Sequence, residues 1–122
     1  MAQARTLSAQ QHMAPLAEVL ASVAEELEHA RILGLRVEGA ICGIAVRSSI
    51  DGQVVSELQQ LDAALQHIAA LRDYLGEVAR IVEPRLQVDT AMALERVTLG
   101  EVRRRLSGGY LNDDPNDVWE ML

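Results

Sequence analysis

The chain has 122 residues, enough for one domain with a core of its own. Eighteen acidic residues against eleven basic ones, all of them arginine, give a formal net charge of −7, which excludes a general attraction to nucleic acid or to anionic lipid. Apolar residues make up 49% of the chain but aromatic ones only 2%, so the core must be aliphatic, as is typical of helical bundles.

Cysteine content and apolar runs indicate the compartment. Cys42 is the only cysteine, so no disulfide can form within the chain. The longest nearly uncharged run, 39–46, is far shorter than the roughly 20 residues that span a bilayer. The N-terminus also lacks the uninterrupted apolar core of a signal peptide. We therefore expect a cytoplasmic protein that does not contact a membrane.

The first predicted helix covers about 14–47. Its apolar positions alternate at intervals of four and three residues, which is a heptad seam. These positions are Leu16, Leu20, Val23, Leu27, Ala30, Gly34, Val37, Ile41 and Ile44. Pro15 suits the first turn, because the amide proton that proline lacks would have no partner inside the helix there.

A second helix is predicted over about 52–82, after a turn at 48–52. It repeats the seam, with Arg72 as the one polar residue among apolar ones, and Pro84 should end it. Its seam positions are Val54, Leu58, Leu61, Leu65, Ile68, Arg72, Leu75, Ala79 and Val82. Two long helices joined by so short a loop must fold back as an antiparallel hairpin.

Shorter elements follow Pro84. We predict helices over about 88–97, capped by Asp89, and over about 99–107, where Thr98 and Glu101 have capping-box spacing and Gly108 or Gly109 supplies a left-handed stop. The expected fold class is therefore all-α, a long antiparallel hairpin with short C-terminal helices. Residues 1–108 are expected to form one helical-bundle domain, followed by an acidic and apolar tail over 109–122.

The stretch RVEGAICGIAV, 36–46, has two glycines inside the first helix. The side of this helix that faces away from the hairpin is apolar from 32 to 46, with Arg36 as the main exception. A helix that is apolar all round is buried all round. The residues on that side are Ile32, Leu35, Gly39, Cys42, Gly43 and Val46. We expect a third element to cover them, either the short C-terminal helices or the second subunit of a homodimer, with the glycines admitting a close backbone approach.

Three residues on the first helix are candidates for chemistry. Glu26 and His29 have the Glu-x-x-His spacing of dimetal bundle sites, but such ligands project inward and His29 is predicted to project outward, so we expect no metal site. Cys42 has no nearby base in sequence and is expected to be a small buried apolar residue. We expect no catalytic residue, no cofactor and no enzymatic activity.

A phosphoryl-accepting histidine, His67 or His29, is the alternative from another functional class. Histidine phosphotransfer domains and the dimerisation domains of sensor kinases both use an exposed histidine on a helix. Phosphotransfer domains usually have lysine at +3 and glycine at +4, where His67 has Ala70 and Leu71. His29 in turn lacks the acid and the proline that kinase dimerisation helices usually place after their histidine.

The C-terminal tail mixes acidic and apolar residues in the manner of a short linear binding motif. Its apolar residues are Tyr110, Leu111, Val118, Trp119, Met121 and Leu122. They could dock on a protein partner or fold back onto the chain's own bundle. The run Arg103 to Arg105 complements the dipole at the end of its helix, or forms a patch for an acidic partner or for this tail.

The segments LQQLDAALQHIAALRDYLGEVA and VTLGEVRRRLSG, within 58–108, together with the acidic and apolar C-terminus, resemble small uncharacterised helical proteins of alphaproteobacteria. The resemblance implies a bacterial cytoplasmic protein and no particular activity. The sequence thus favours a non-enzymatic, homodimeric helical module that binds another protein in a regulatory or adaptor role.

Overall fold

Residues 13–47 and 52–108 are described by a computed structural model of the chain. A three-residue strand, β1 (Met13–Pro15), leads directly into α1 (Leu16–Arg47), and α2 (Gly52–Ile81) is the next described element. A second short strand, β2 (Gln87–Asp89), precedes two short helices, α3 (Ala91–Glu95) and α4 (Gly100–Leu106). The predicted fold class is confirmed: two long antiparallel helices with short helices after them.

The contacts divide the chain into two compact units. Residues 23–77, which form most of α1 and α2, make up the hairpin unit. Residues 13–22 and 78–108, which include both strands and both short helices, are the described part of the terminal unit. Each unit has its own buried leucine, Leu65 in the first and Leu94 in the second.

In the hairpin unit, Gly34 lets α1 and α2 approach closely. A Cβ atom at Gly34 would overlap with Cδ2 of Leu65, whose side chain is only 5% exposed. No such crowding exists at Gly39, Gly43 or Gly76, where nothing would lie within 4 Å of an added Cβ. Of these four helical glycines, Gly34 is the one that the contact between the helices requires.

The buried side of α1 departs from the predicted heptad seam beyond Gly34. Val37 and Ile44, expected in the seam, are 52% and 66% exposed, whereas Ala45 is buried. Glu38 lies on the buried side as well, and its Oε2 has no hydrogen-bond partner among the described residues. Eleven residues make three turns of a straight helix, so Ala45 rather than Ile44 returns to the side of Gly34.

The terminal unit contains a two-stranded antiparallel sheet that the sequence analysis missed. Ala14 pairs with Val88, and Met13 and Pro15 pair with Asp89 and Gln87. The Leu16 amide extends the contact by donating to the Leu86 carbonyl at 2.8 Å. Pro15 therefore ends a strand instead of opening α1, and the helix predicted over 88–97 is shortened to Ala91–Glu95.

Four of the predicted helix boundaries can be compared directly with the structure. α2 ends at Ile81, ahead of Pro84 as predicted, and Gly108 has the expected left-handed backbone with φ of 76°. The Asp89 carboxylate accepts a hydrogen bond from the Ala91 amide at 3.0 Å, at the start of α3. The capping box was wrong, because α4 begins after Leu99 and no side chain caps it.

Candidate interaction surfaces

The predicted contact surface lies on the C-terminal half of α1 in the hairpin unit. Its described members are Ile32, Leu35, Gly39, Cys42 and Gly43, which we call the glycine face. All five are exposed. The side chain of Val46, also predicted to belong here, lies outside the described residues.

No described residue covers the two glycines of this face. Nothing lies within 4 Å of an added Cβ at Gly39 or Gly43. The short helices, one of the two predicted covers, cluster with residues 13–22 in the terminal unit. The other predicted cover, a second copy of the chain, is taken up below.

Sequence reasoning missed a second exposed apolar line on the same half of α1. Leu33, Val37, Ala40 and Ile44 follow one another at intervals of four, three and four residues, and all four are exposed. We call this line the aliphatic stripe. Its spacing is that of a coiled-coil seam. The signal was present in the sequence, but Val37 and Ile44 had been assigned to the contact inside the hairpin.

Cys42 was expected to be buried, and in the single chain it is exposed. The thiol belongs to an exposed residue on the glycine face. The reason is geometric: Cys42 lies on the side of α1 that faces away from α2, and no described element packs there. An exposed cysteine in an apolar surface becomes a reporter for whatever covers that surface.

An ion-pair cluster joins α1 to α2 inside the hairpin unit. Arg31 Nε donates to Glu28 Oε2 at 2.9 Å, and Arg72 of α2 donates to the same oxygen. Arg72 Nε also donates to Asp73 Oδ1 at 3.0 Å. The hydrogen bond from Arg31, followed in size of effect by the one from Arg72, lowers the pKa of Glu28 from 4.5 to about 2. The Glu28 bond likewise raises the pKa of both arginines.

The two described histidines lie on the surface of the hairpin unit. Nδ1 of His29 is 3.9 Å from the Glu26 carboxylate, and the His29 side chain is 60% exposed. Nδ1 of His67 is 2.8 Å from the Ala63 carbonyl oxygen, which can only accept, so this nitrogen carries the proton. Among the described residues, no group of three or more histidine, cysteine or acidic side chains could hold a metal ion.

The terminal unit holds a cavity of about 270 Å³ between β1, the first turns of α1 and the short helices. Met13, Val19, Leu94 and Leu106 contribute apolar lining. Ser22, Thr90 and Ser107 contribute hydroxyl groups, and Glu18 a carboxylate. Gly108, the last described residue, also lines it. The cavity can therefore accept an apolar group that carries a polar neighbour.

The arginine run lies on α4, next to this cavity in sequence. Arg103 and Arg105 are exposed, and Arg104 is partly buried. The tail residues predicted to bind a partner lie outside the described residues. These are Tyr110, Leu111, Val118, Trp119, Met121 and Leu122.

A family model described as Domain of unknown function (DUF8776) matches residues 12–119. Comparison with curated proteins and with solved structures gives no match. Within the part of the chain that the structure describes, none of the helices has the length and apolarity that a membrane span requires.

Proposed function

The chain belongs to the family of the domain of unknown function DUF8776, and we propose that it is a non-enzymatic, cytoplasmic, homodimeric helical module that binds another protein. The observation that carries the proposal is the exposed apolar surface of α1 between 32 and 44, formed by the glycine face and the aliphatic stripe. Contiguous apolar patches of this kind on soluble proteins mark interaction sites.

The composition of this surface favours an apolar helical partner. Between 32 and 44 the only charged residues are Arg36 and Glu38, and one Glu38 oxygen is already buried. A charged ligand would find almost no counter-charge there, whereas a helix with the same apolar spacing would fill the stripe.

A second copy of the chain supplies such a helix. In a symmetric dimer each chain presents the same surface to the other, so two stripes with coiled-coil spacing can interlock. Gly39 and Gly43 lie one turn apart and have no side chain to hold a second backbone away. The pair of hairpins would then form a four-helix bundle, and the bundle would serve as the platform for a protein partner.

Light scattering after size-exclusion chromatography tests the dimer with a matched pair of variants. Leu33→Glu places a charge in the aliphatic stripe, and Leu99→Glu places the same charge in the terminal unit. The two leucines are 59% and 55% exposed, so the cost of each change to the isolated chain should be similar. We expect Leu33→Glu to yield monomer and Leu99→Glu to leave the dimer intact. If the two variants had the same mass, the aliphatic stripe would not be the dimer contact.

Gly43→Leu tests the close approach separately. Leucine favours helix over glycine by about 1 kcal/mol, so α1 should stay helical. A bulky side chain where another backbone must approach should nevertheless weaken the association. Circular dichroism follows helix content, and light scattering follows assembly. If both assembly and helicity were unchanged, the glycines would not be part of the contact between the two chains.

One observation favours the second candidate, a phosphotransfer role for His67. Because Nδ1 of His67 donates to the Ala63 carbonyl, Nε2 carries the lone pair on an exposed ring, as a phosphoryl acceptor requires. Attack of Nε2 on the phosphorus of acetyl phosphate would form an N–P bond and release acetate. Native mass spectrometry with acetyl phosphate would show an acid-labile phosphoryl adduct that His67→Gln loses and His29→Gln keeps. Absence of the adduct in the wild-type chain would exclude this role with that donor.

A further inference from the structure

The cavity of the terminal unit leads to an inference that does not depend on the dimer. The chain leaves the described structure at the edge of this cavity, since Gly108 lines it. Gly108 has a positive φ of 76°, which ends α4 and redirects the backbone at that edge. Whatever follows Gly108 starts beside the cavity.

The residues after Gly108 have the composition of a segment that folds back toward the cavity. Tyr110 and Leu111 stand at its start, and four further apolar residues stand near its end, at 118, 119, 121 and 122. The residues between them, 112–116, are asparagine, aspartate and proline, types that favour turns. A turn there would bring the second apolar group back toward the first, and hence toward the cavity.

The extent of the family domain supports a structural role for this segment. The family model begins at residue 12, next to the cavity-lining Met13, and runs through Trp119. The segment after α4 is therefore counted with the same domain as the cavity, rather than as an appendage to it.

Charge also favours this occupant. The residues from 109 to 122 carry four acids and no base. Arg103, Arg104 and Arg105 occupy the last turn of α4, immediately before the cavity-lining Leu106 and Ser107. Opposite charges attract most strongly within the screening length of about 8 Å at physiological salt.

From these observations we propose that the cavity is the binding site of the chain's own C-terminal segment, residues 110–122, held in cis by an apolar side chain from 118–122. The cavity's apolar walls receive that side chain, and the arginines of α4 hold the acidic residues beside it.

Trp119 is the only tryptophan, so its fluorescence in the full chain reports on this contact. Ser22→Phe fills the cavity from α1, whereas the matched variant Ala21→Phe adds the same ring at a neighbouring exposed position that does not line it. We expect Ser22→Phe to shift the emission toward that of the urea-unfolded chain and to increase quenching by acrylamide. Ala21→Phe should leave both unchanged, and both variants should keep the wild-type helix content. Identical spectra of the two variants would overturn the proposal.

A cross-link provides a second test that does not depend on filling the cavity. In a Cys42→Ala background, Val118→Cys is combined with Ser22→Cys or, as the control, with Ala21→Cys. A disulfide needs Cα atoms within about 7 Å, so only the first pair should close rapidly within one chain. Equal yields for the two pairs, or a disulfide only between chains, would overturn docking in cis. The fluorescence test leaves residues 32–44 unchanged, so this proposal and the dimer can fail independently.

Discussion

Arg72 on α2 donates a hydrogen bond to the carboxylate of Glu28 on α1, across the hairpin. Arg72 was the one polar residue in the predicted seam of the second helix, and the structure provides its reason. Its guanidinium meets an acid that Arg31 also contacts, so a charge at a seam position is paired instead of isolated. The side chains of the three residues are between 28% and 33% exposed, which leaves the cluster partly open to water.

The pairing makes the hairpin sensitive to acid. The pKa of Glu28 is lowered in the folded chain from 4.5 to about 2, so its contribution to stability is complete above pH 4.5. That contribution is lost as the pH falls from 4.5 toward 2, because the unfolded chain then takes up the proton first. Urea unfolding from pH 7 to pH 2.5 measures the effect. At neutral pH the free energy of unfolding should be larger for wild type than for Glu28→Gln, and this difference should shrink below pH 4.5.

Glu25→Gln is the matched control, since Glu25 is an exposed acid on the same helix outside this cluster. It should change stability little at any pH, as most exposed substitutions do. A difference between wild type and Glu28→Gln that stayed constant from pH 7 to pH 2.5 would contradict the pairing.

Gly34→Ala should destabilise the hairpin although alanine is the better helix former. The added Cβ overlaps Leu65, and overpacking of a core costs about 1–3 kcal/mol. Most of this range exceeds the gain of about 1 kcal/mol in helix propensity, because Leu65 is only 5% exposed and has little room to move away. Gly76→Ala in α2 meets open space and should raise the free energy of unfolding instead. Chemical unfolding separates the two variants, and stabilisation by both would show that Gly34 is not needed for close approach.

Glu38→Leu should stabilise the hairpin. Glu38 Oε2 is buried with no hydrogen-bond partner in the described part of the chain, and an unsatisfied buried polar group costs about 1–3 kcal/mol. Leucine has a similar size and no polar atom, so it should recover part of that cost. The control Glu57→Leu, at an exposed position of α2, should change the free energy of unfolding by less than about 0.5 kcal/mol. A loss of stability in Glu38→Leu would mean that this carboxylate has a favourable partner.

Cys42 reports on what covers the glycine face. Its thiol is exposed in the single chain, so a thiol reagent should label it rapidly in dilute protein. If a second copy covers the face, labelling should slow as the protein concentration rises. Leu33→Glu should restore rapid labelling at high concentration, because the dimer is lost. A labelling rate that does not depend on protein concentration would show that no second copy covers the glycine face.

The hairpin could be predicted because its evidence is local and repeated. Apolar residues recur along both helices, and Pro84 fixes the end of the second. The side of α1 that becomes buried beyond Gly34 was predicted wrongly. A strict heptad selects Val37 and Ile44, but a straight helix turns Glu38 and Ala45 toward the partner helix. Over one or two turns, the positions selected by a heptad and those on one side of a straight helix differ by a single residue.

The small sheet could not be predicted, for a different reason. β1 and β2 have three residues each, too few to show an alternating pattern, and their pairing joins positions more than seventy residues apart. Pro15 was correctly seen as a boundary but was assigned to the helix side of it. The cavity depends on this pairing, so it too was beyond the reach of local patterns.

The mass of the wild-type chain in solution tests the central claim most directly. Light scattering across a range of concentrations should give twice the 13.3 kDa of one chain at high concentration and fall toward 13.3 kDa on dilution. A mass of 13.3 kDa at every concentration would contradict the claim that the apolar surface of α1 between 32 and 44 binds a second copy.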